Sequence, residues 1–178
     1  LISDQALREF SDRASTALFW RTRLLRALRF VNEVEEERRQ SPDFKVRGEE
    51  KIEGEVASVL LHGRIDRIEQ GPQGVVIADY KTGETPTTKK MIEGHVTQLL
   101  AYAMLATEVT AVEYWQLPYA KQVGGVTQVA FRELIENELP QKLKAALALM
   151  LEESTPFLAN PGRIRDYDGI SRYDEWAS

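Results

Sequence analysis

Two strand-like segments joined by a Gly-Pro-Gln-Gly turn constrain the fold of this chain more than any other feature. The first, residues 63–69, contains Asp66, and the second, residues 75–83, contains Asp79 and Lys81. Because side chains in a strand repeat every two residues, Asp79 and Lys81 point to the same face. If the two segments pair across the turn, Asp66 can lie near that face as well.

Two carboxylates and an ammonium at one hairpin suit a divalent metal ion with its activated water, and therefore the hydrolysis of a phosphodiester bond. Mg²⁺ or Mn²⁺ held by carboxylates neutralises charge on the phosphate and keeps open positions for water and substrate. We assign Asp66 and Asp79 as metal ligands, with the backbone carbonyl of Tyr80 as a further candidate ligand. Lys81 would orient or activate the attacking water, or stabilise charge that develops on the phosphate. An ordinary surface salt bridge explains the Asp-x-Lys pair equally well when it is considered alone.

The composition is typical of a soluble globular chain with one domain, or one domain with a helical extension, at 178 residues, 43% hydrophobic and 29% charged. The absence of cysteine excludes disulfides, thiolate zinc sites and cysteine-ligated iron–sulfur clusters. A net charge of −5 argues against a general polyanion binder, but not against a nuclease with acidic metal ligands. No apolar run approaches the roughly 20 residues that span a bilayer, so we expect a cytoplasmic location and no membrane partner. The chain begins at Leu1 rather than Met, and we expect it to be a fragment of a longer protein.

The N-terminal part is predicted to be helical. Residues 3–40 form two predicted helices with a break near residues 11–15, and the second ends at Pro42, because proline disfavours helix in the residue before it. Its apolar positions follow a helical period: Leu18, Leu25, Leu28 and Val31. Arginines cover much of its remaining surface and could bind DNA, but their mixture with glutamates suits a partner subunit or solvent equally well.

The rest of the chain predicts a sheet with helices around it. Residues 45–69 place β-branched or apolar side chains between polar ones, and residues 75–78 are continuously apolar, as in a strand buried on both faces. The later elements are predicted as a polar loop after Gly83, a helix over 97–108, strands over 112–119 and 126–131, and one long helix over 132–153. We therefore expect an N-terminal helical segment, residues 1–43, and a core, residues 44–178, built on a mixed sheet.

A predicted helix carries a second polar motif. Gln98 and Tyr102 lie four residues apart, so they share one helix face and could point towards the metal site. The alternative is a helix whose glutamine and tyrosine only cover the edge of the core.

Three linked motifs resemble the signature of the RecB-type branch of the PD-(D/E)xK nuclease superfamily. They are Gly-Arg-Ile-Asp-Arg-Ile-Glu at 63–69, Asp-Tyr-Lys-Thr-Gly at 79–83, and Gln-Leu-Leu-Ala-Tyr-Ala at 98–103. The tail, residues 166–176, resembles the C-terminal end of the B subunit of AddAB-type helicase–nucleases. Many relatives hold this tail with an iron–sulfur cluster, but here the positions that would align with cysteines are Gly162, Arg165 and Ser171, so no cluster is expected.

The resemblance implies an α/β (α+β), restriction-endonuclease-like core with a mixed sheet of about four or five strands between helices. It implies a Mg²⁺- or Mn²⁺-dependent deoxyribonuclease that cuts single-stranded DNA during recombinational repair of double-strand breaks, with an AddA-type subunit as partner. By motif position, Asp66 and Asp79 are metal ligands, Lys81 is the catalytic lysine, and Gln98 and Tyr102 lie beside the site and the DNA. One alternative is a catalytically silent module of the same fold that guides DNA or docks a subunit. Another is a free-standing repair or defence nuclease of the same superfamily, which fits the motifs but not the AddB-like tail.

Other polar residues are weaker candidates. Glu49 or Glu50 could reach the metal from the preceding strand, although exposed strand glutamates are the simpler explanation. Lys89, Lys90 and Arg64 are candidate DNA contacts, since basic loops beside a nuclease site bind phosphates. His62 and His95 could touch DNA or a metal, but surface or helix-entry positions are the simpler explanation. Glu35 or Glu36 could supply the further active-site residue that the family often takes from an upstream helix, but a solvated charge run is the simpler explanation. Trp20, Trp115 and Trp176 are assigned to core or edge packing rather than base stacking.

Overall fold

The computed structural model describes residues 14–41, 43–119 and 121–155. A long helix precedes a five-stranded sheet. Two short helices lie between the third and fourth strands, and two more follow the fifth strand. In chain order the elements are α1 (Ala14–Arg38), β1 (Lys45–Val56), β2 (Val59–Gly71), β3 (Gly74–Lys81), α2 (Thr88–Ile92), α3 (Gln98–Leu105), β4 (Val109–Gln116), β5 (Gly125–Ala130), α4 (Phe131–Glu136) and α5 (Leu139–Leu151).

The strands lie in the sheet in the same order as in the chain, β1-β2-β3-β4-β5. Neighbouring strands are antiparallel except β3 and β4, which are parallel. A parallel pair needs a long crossover connection. Here residues 82–108, which include α2 and α3, form it. The predicted mixed sheet flanked by helices, a restriction-endonuclease-like α/β architecture, is confirmed.

The predicted hairpin forms between β2 and β3. Gly71 pairs with Gly74 at the turn, and the register continues to Arg67 opposite Ala78. Gly74 has a φ of 109°, a conformation that only glycine adopts without strain, which explains the glycine that closes the turn. This register therefore places Asp66 and Asp79 at the same distance from the turn, one on each strand.

An apolar core lies on the side of the sheet that packs against α2 to α5. Alternate strand residues such as Ile77, Val112 and Val129 are almost fully buried there, and α3 adds Leu99 and Leu100. Along β4, Val112 and Tyr114 face this core, so Glu113 and Trp115 between and after them face the other side of the sheet.

The opposite side of the sheet holds an ion-pair network that docks α1. Arg38 of α1 forms ion pairs with two buried carboxylates, Glu69 and Glu113, and the distance to Glu113 is 3.0 Å. The indole N–H of Trp115 donates to Glu113 over 2.7 Å. Since buried charges are tolerated only when they are paired, the position of α1 on the sheet is specified by these contacts. Glu35 also takes part, by pairing with Arg67 at 2.7 Å, so assigning it to a solvated charge run was wrong.

Several element boundaries differ from the prediction. The expected polar loop contains α2, which Thr87 caps because its hydroxyl accepts a hydrogen bond from the N–H of Lys90. The long helix predicted over 132–153 is broken into α4 and α5, since Glu138 has a left-handed φ of 59° and Pro140 lies in the first turn of α5. Leu28, one of the apolar positions in the helical period of α1, is 45% exposed.

Two predicted regions lie outside the described residues. They are the first N-terminal helix and the tail after Thr155, including Trp176 and the positions aligned with cluster cysteines. None of the helices in the described ranges is long and apolar enough to cross a membrane.

Candidate active site

The two aspartates lie where β2 and β3 stop pairing. The ladder between these strands ends at Arg67 and Ala78, and one further step of the same register places Asp66 opposite Asp79. At this step the Asp66 carboxylate, rather than a backbone carbonyl, accepts the hydrogen bond of the Tyr80 N–H, at 3.1 Å. The hairpin therefore opens into a site that has a carboxylate on each strand.

An irregularity in the sheet accompanies this opening. Period two would put Ile65 and Arg67 on one face, yet Ile65 packs in the apolar core while Arg67 contacts α1 on the other side. In the neighbouring strand β1, Glu49 lies between the pairs that flank Asp66 and has a left-handed φ of 58°. The face occupied by Asp66 could not have been read from alternation alone.

Asp79 is buried, with 6% of its surface exposed. Its Oδ2 lies 2.7 Å from Nζ of Lys81, which confirms that these two side chains share a face. No donor among the described residues meets this oxygen with hydrogen-bond geometry, so the contact with Lys81 is an ion pair only. A buried carboxylate oxygen with an unused lone pair is well suited to bind a cation.

Tyr114 forms the part of the site that lies on β4. It pairs with Asp79 in the parallel ladder, and Nζ of Lys81 is 5.6 Å from the centre of its ring. Burial, together with the nearby charge of Asp79, raises the pKa of Tyr114 to about 12, so its phenol stays protonated at neutral pH. Sequence reasoning missed this residue, because only the β3–β4 pairing brings it to the site.

An open cleft of about 1010 Å³ begins at Lys81. Its walls include four of the predicted site residues: Lys81, Gln98, Lys89 and Lys90. The crossover connection brings them together, since α2 carries the two lysines and α3 begins at Gln98. The cleft therefore presents ammonium and amide donors, which suit a phosphate-bearing ligand, beside the carboxylates of Glu84 and Glu93.

Tyr102 has a different environment from Gln98. Its ring lies over Gly63 of β2, so close that a Cβ on Gly63 would be 2.5 Å from the phenolic oxygen. The first glycine of the 63–69 motif is thus required by the packing of α3. Tyr102 anchors the helix whose first residue lines the cleft.

Three of the weaker candidates lie outside the cleft. Glu49 is exposed and pairs with Arg64 at 2.9 Å, and Glu50 lies 3.8 Å from Arg47. Arg64 lines a second, smaller opening on the β1–β2 hairpin. His62 and His95 are exposed, as expected, but His95 lines the cleft, whereas His62 lines the smaller opening.

Arg67 connects the site to the opposite side of the sheet. It is 3% exposed, and it donates to the phenolic oxygen of Tyr80 over 3.1 Å and to Glu69 over 2.6 Å. Burial raises the pKa of Tyr80, and its ring meets Trp115 edge to face at 5.6 Å. The residue between Asp79 and Lys81 is therefore held by the ion-pair network beneath it, a role that the arginine in the 63–69 motif did not reveal by itself.

The donor set is consistent with Mg²⁺ or Mn²⁺. Mg²⁺ commonly binds through one or two carboxylates and keeps several waters, and the site offers Asp66, Asp79 and the carbonyl of Tyr80. Within the described ranges no cluster of three or more histidine, aspartate or glutamate side chains could hold a metal, so a caged, all-protein site is not formed there.

A family model for the PD-(D/E)XK nuclease superfamily matches residues 2–165. The chain belongs to this superfamily. Asp79, Tyr80 and Lys81 fit the (D/E)XK part of the motif that names it, and nucleases of the superfamily typically use divalent metals. A comparison with curated protein sequences finds no match. The superfamily prediction is confirmed, while the RecB-type branch and the AddB-like assignment stay predictions.

Proposed function

We propose that this chain is a Mg²⁺- or Mn²⁺-dependent deoxyribonuclease that hydrolyses phosphodiester bonds in single-stranded DNA. In this proposal it is the nuclease domain of an AddB-like subunit, which acts with an AddA-type partner in the recombinational repair of double-strand breaks. The observation that carries the proposal is the buried Asp79 carboxylate in a chain of a nuclease superfamily. Among the described residues this carboxylate pairs with Lys81 alone, and it lies opposite Asp66.

Asp66, Asp79 and the carbonyl of Tyr80 would hold the cation. When bound, it supplies charge neutralisation at the phosphate and lowers the pKa of a coordinated water. Asp66 already accepts one hydrogen bond from the Tyr80 N–H, which fixes the direction of its carboxylate. Rigid carboxylates are needed because a misplaced ligand loses much of its effect on the rate.

Lys81 contributes a positive charge where the reaction gathers negative charge. Its ammonium is held by Asp79 and reaches the cleft, since its side chain is 38% exposed. A fixed cation of this kind stabilises the charged phosphate in the transition state without reorganisation. The amide of Gln98 can donate to a phosphate oxygen from the facing wall, while Lys89 and Lys90 position the strand through its backbone.

Cleavage of end-labelled single-stranded DNA with Mn²⁺ tests this proposal. Asp79→Asn should slow cutting at least ~100-fold, because it removes the charge that would bind the cation and hold Lys81. Asp43→Asn is a matched control, since it makes the same substitution at an exposed position before β1 and should cut at the normal rate. Equal cutting by wild type and Asp79→Asn would contradict the assigned site.

Failure of the wild-type chain to cut would favour the silent module instead. Co-elution with an AddA-type subunit in gel filtration would then support a docking role. Cutting that depends on Asp79, without such co-elution, would support a free-standing nuclease.

A further inference from the structure

We propose that an aromatic platform at the N-terminal part of α1 stacks the unpaired bases of a DNA strand that enters the Asp79–Lys81 site. The platform consists of Phe19, Trp20 and Arg23 of α1 and Tyr119 of the loop after β4. The proposal rests on the proposed nuclease function, and it adds the surface that selects single strands.

Arg23 holds the platform together. Its guanidinium carbon lies 4.1 Å from the ring centre of Phe19, 4.2 Å from that of Tyr119 and 5.4 Å from that of Trp20. The rings of Phe19 and Trp20 meet edge to face at 6.0 Å. Arginine and aromatic side chains in such contacts form the stacking surfaces on which single-stranded nucleic acids bind.

The platform is exposed in a way that core packing does not explain. Phe19 is 53% exposed, Trp20 48% and Tyr119 43%. Trp115, by contrast, is fully buried between the sheet and α1. Trp115 packs in the core as expected, whereas the base stacking assigned to the exposed Trp20 belongs to this proposal.

The loop that carries Tyr119 is held in place. The N–H of Gln122 donates to the carbonyl of Tyr119 over 2.8 Å, and the side-chain amides of Gln116 and Gln122 meet at 3.0 Å. The ring of Phe30 lies on Gly124, where a Cβ would be only 2.6 Å from it. A preformed surface loses less conformational entropy when it binds a ligand.

The direction of α1 places the platform at the catalytic edge of the sheet. Contacts of α1 move along β4 from Arg38 at Glu113, through Phe30 at Trp115, to Arg23 at Tyr119. The helix therefore runs antiparallel to β4 and extends past its C-terminal end. Lys81 lies at the same end, because β3 is parallel to β4.

A backbone contact fixes this proximity. Lys81 pairs with Gln116, and its carbonyl accepts the N–H of Leu117 over 2.8 Å. Tyr119 follows two residues later, within roughly 7 Å of chain. The side chain of Lys81 lines the cleft on the α3 side of the sheet, whereas α1 docks on the opposite side. A strand that stacks on the platform would therefore reach the lysine by passing around the end of the sheet at residues 81 and 117.

The charge of α1 is divided along its length. Residues 19–32 contain four arginines and no acidic residue, whereas residues 33–37 contain four glutamates. Glu35 is occupied by Arg67 and Arg39. The basic half lies at the catalytic edge, where the platform arginine, Arg23, brings a positive charge to the phosphates of a bound strand.

Fluorescence anisotropy in EDTA tests the platform without cleavage. The probes are a labelled oligo(dT) and an abasic strand of the same length, which has the same charge but no bases. Trp20→Ala and Tyr119→Ala should each weaken oligo(dT) binding about 5- to 100-fold and abasic-strand binding less than about twofold. Trp20→Phe should retain most of the affinity, because it keeps a π face.

Leu149→Ala is the control, since Leu149 is 54% exposed on α5, which packs with α3 on the other side of the sheet. It should leave the affinity for both probes unchanged. Equal losses on both probes, or no loss in either platform variant, would overturn the proposal. Loss of co-elution with a helicase subunit, with normal DNA binding, would assign the surface to a protein partner and overturn it as well.

The two proposals fail separately. If Trp20→Ala weakens oligo(dT) binding but the wild type does not cut with Mn²⁺, the platform is supported and the nuclease function is contradicted. If cutting depends on Asp79 but oligo(dT) binding does not depend on Trp20 or Tyr119, the reverse holds.

Discussion

The ring of Tyr102 lies against the backbone of Gly63, in the space that a side chain at position 63 would fill. A Cβ there would be 2.5–2.8 Å from three atoms of the phenol. Because Gln98 lies one turn before Tyr102 on α3, this contact sets the position of a cleft residue through the packing of its helix.

Replacement of this glycine should disturb both stability and activity. We expect Gly63→Ala to lower the free energy of unfolding by about 1–3 kcal/mol, as overpacking does, and to reduce the cleavage rate by moving α3. Urea unfolding and Mn²⁺-dependent cleavage measure the two effects. The double variant Gly63→Ala/Tyr102→Ala should lose less free energy of unfolding than the two single variants lose in total. A loss equal to that total would show that the two residues do not compete for space.

The ion-pair network beneath the sheet predicts a contrast between two adjacent arginines. Arg38→Ala leaves Glu69 and Glu113 buried without their shared cation and should lower the free energy of unfolding by about 3–5 kcal/mol. Arg39→Ala breaks a pair on the exposed face and should cost about 1 kcal/mol or less. Urea denaturation is the measurement, since urea does not screen charge. Similar losses in the two variants would contradict the structural role of the network.

Alkaline pH should expose the burial of Tyr114. Its pKa is raised to about 12 in the folded protein, from an ordinary value of 10, so above pH 10 the unfolded chain loses this proton first. Stability should therefore fall between pH 10 and 12, with about 2–3 kcal/mol of the fall due to Tyr114. Tyr114→Phe should flatten this part of the urea-denaturation profile and change little at pH 7. An unchanged slope in the variant would be inconsistent with the environment described for the phenol.

Kinetics can separate the two roles proposed for lysines in the cleft, charge stabilisation by Lys81 and positioning of the DNA backbone by Lys89. Lys81→Ala should lower the single-turnover rate about 100- to 1000-fold while Mn²⁺ binding persists, because the ammonium next to Asp79 stabilises charge rather than holding the ion. Lys89→Ala should weaken substrate affinity with little change in the rate at saturation. Calorimetry follows Mn²⁺ binding in both variants. Loss of metal affinity in Lys81→Ala would contradict its role.

The hairpin was predictable because its signals are local. The Gly-Pro-Gln-Gly turn sets the register of β2 and β3, and the two-residue period of a strand is enough to place Asp79 and Lys81 on one face. Tyr114 was not predictable, since it reaches Asp79 only through a parallel pairing across residues 82–108. The pair of Arg38 and Glu113 joins residues 75 positions apart, and no local pattern indicates it.

Helix boundaries failed for a different reason. The apolar periodicity of 132–153 continues through the break, but the left-handed Glu138 and the proline after it interrupt the helix whatever the periodicity. The exposed platform was not predicted, because a helical period shows which side chains share a face but not what that face packs against. The N-terminal turns of α1 extend beyond β4, so the sheet does not cover their side chains.

The order of strands in the sheet has a consequence for how this protein acquires its activity. Within the described residues, every strand pairing joins strands that follow one another in the chain, and all but the β3–β4 pairing are antiparallel. The β3–β4 pairing alone must close a long loop, which makes it the slow step expected in folding. Asp66 and Asp79 can meet in an early hairpin, but Gln98 and Tyr114 join them only when that loop has closed. A chain in which β3 and β4 have not yet paired thus carries the two aspartates without the cleft beside them.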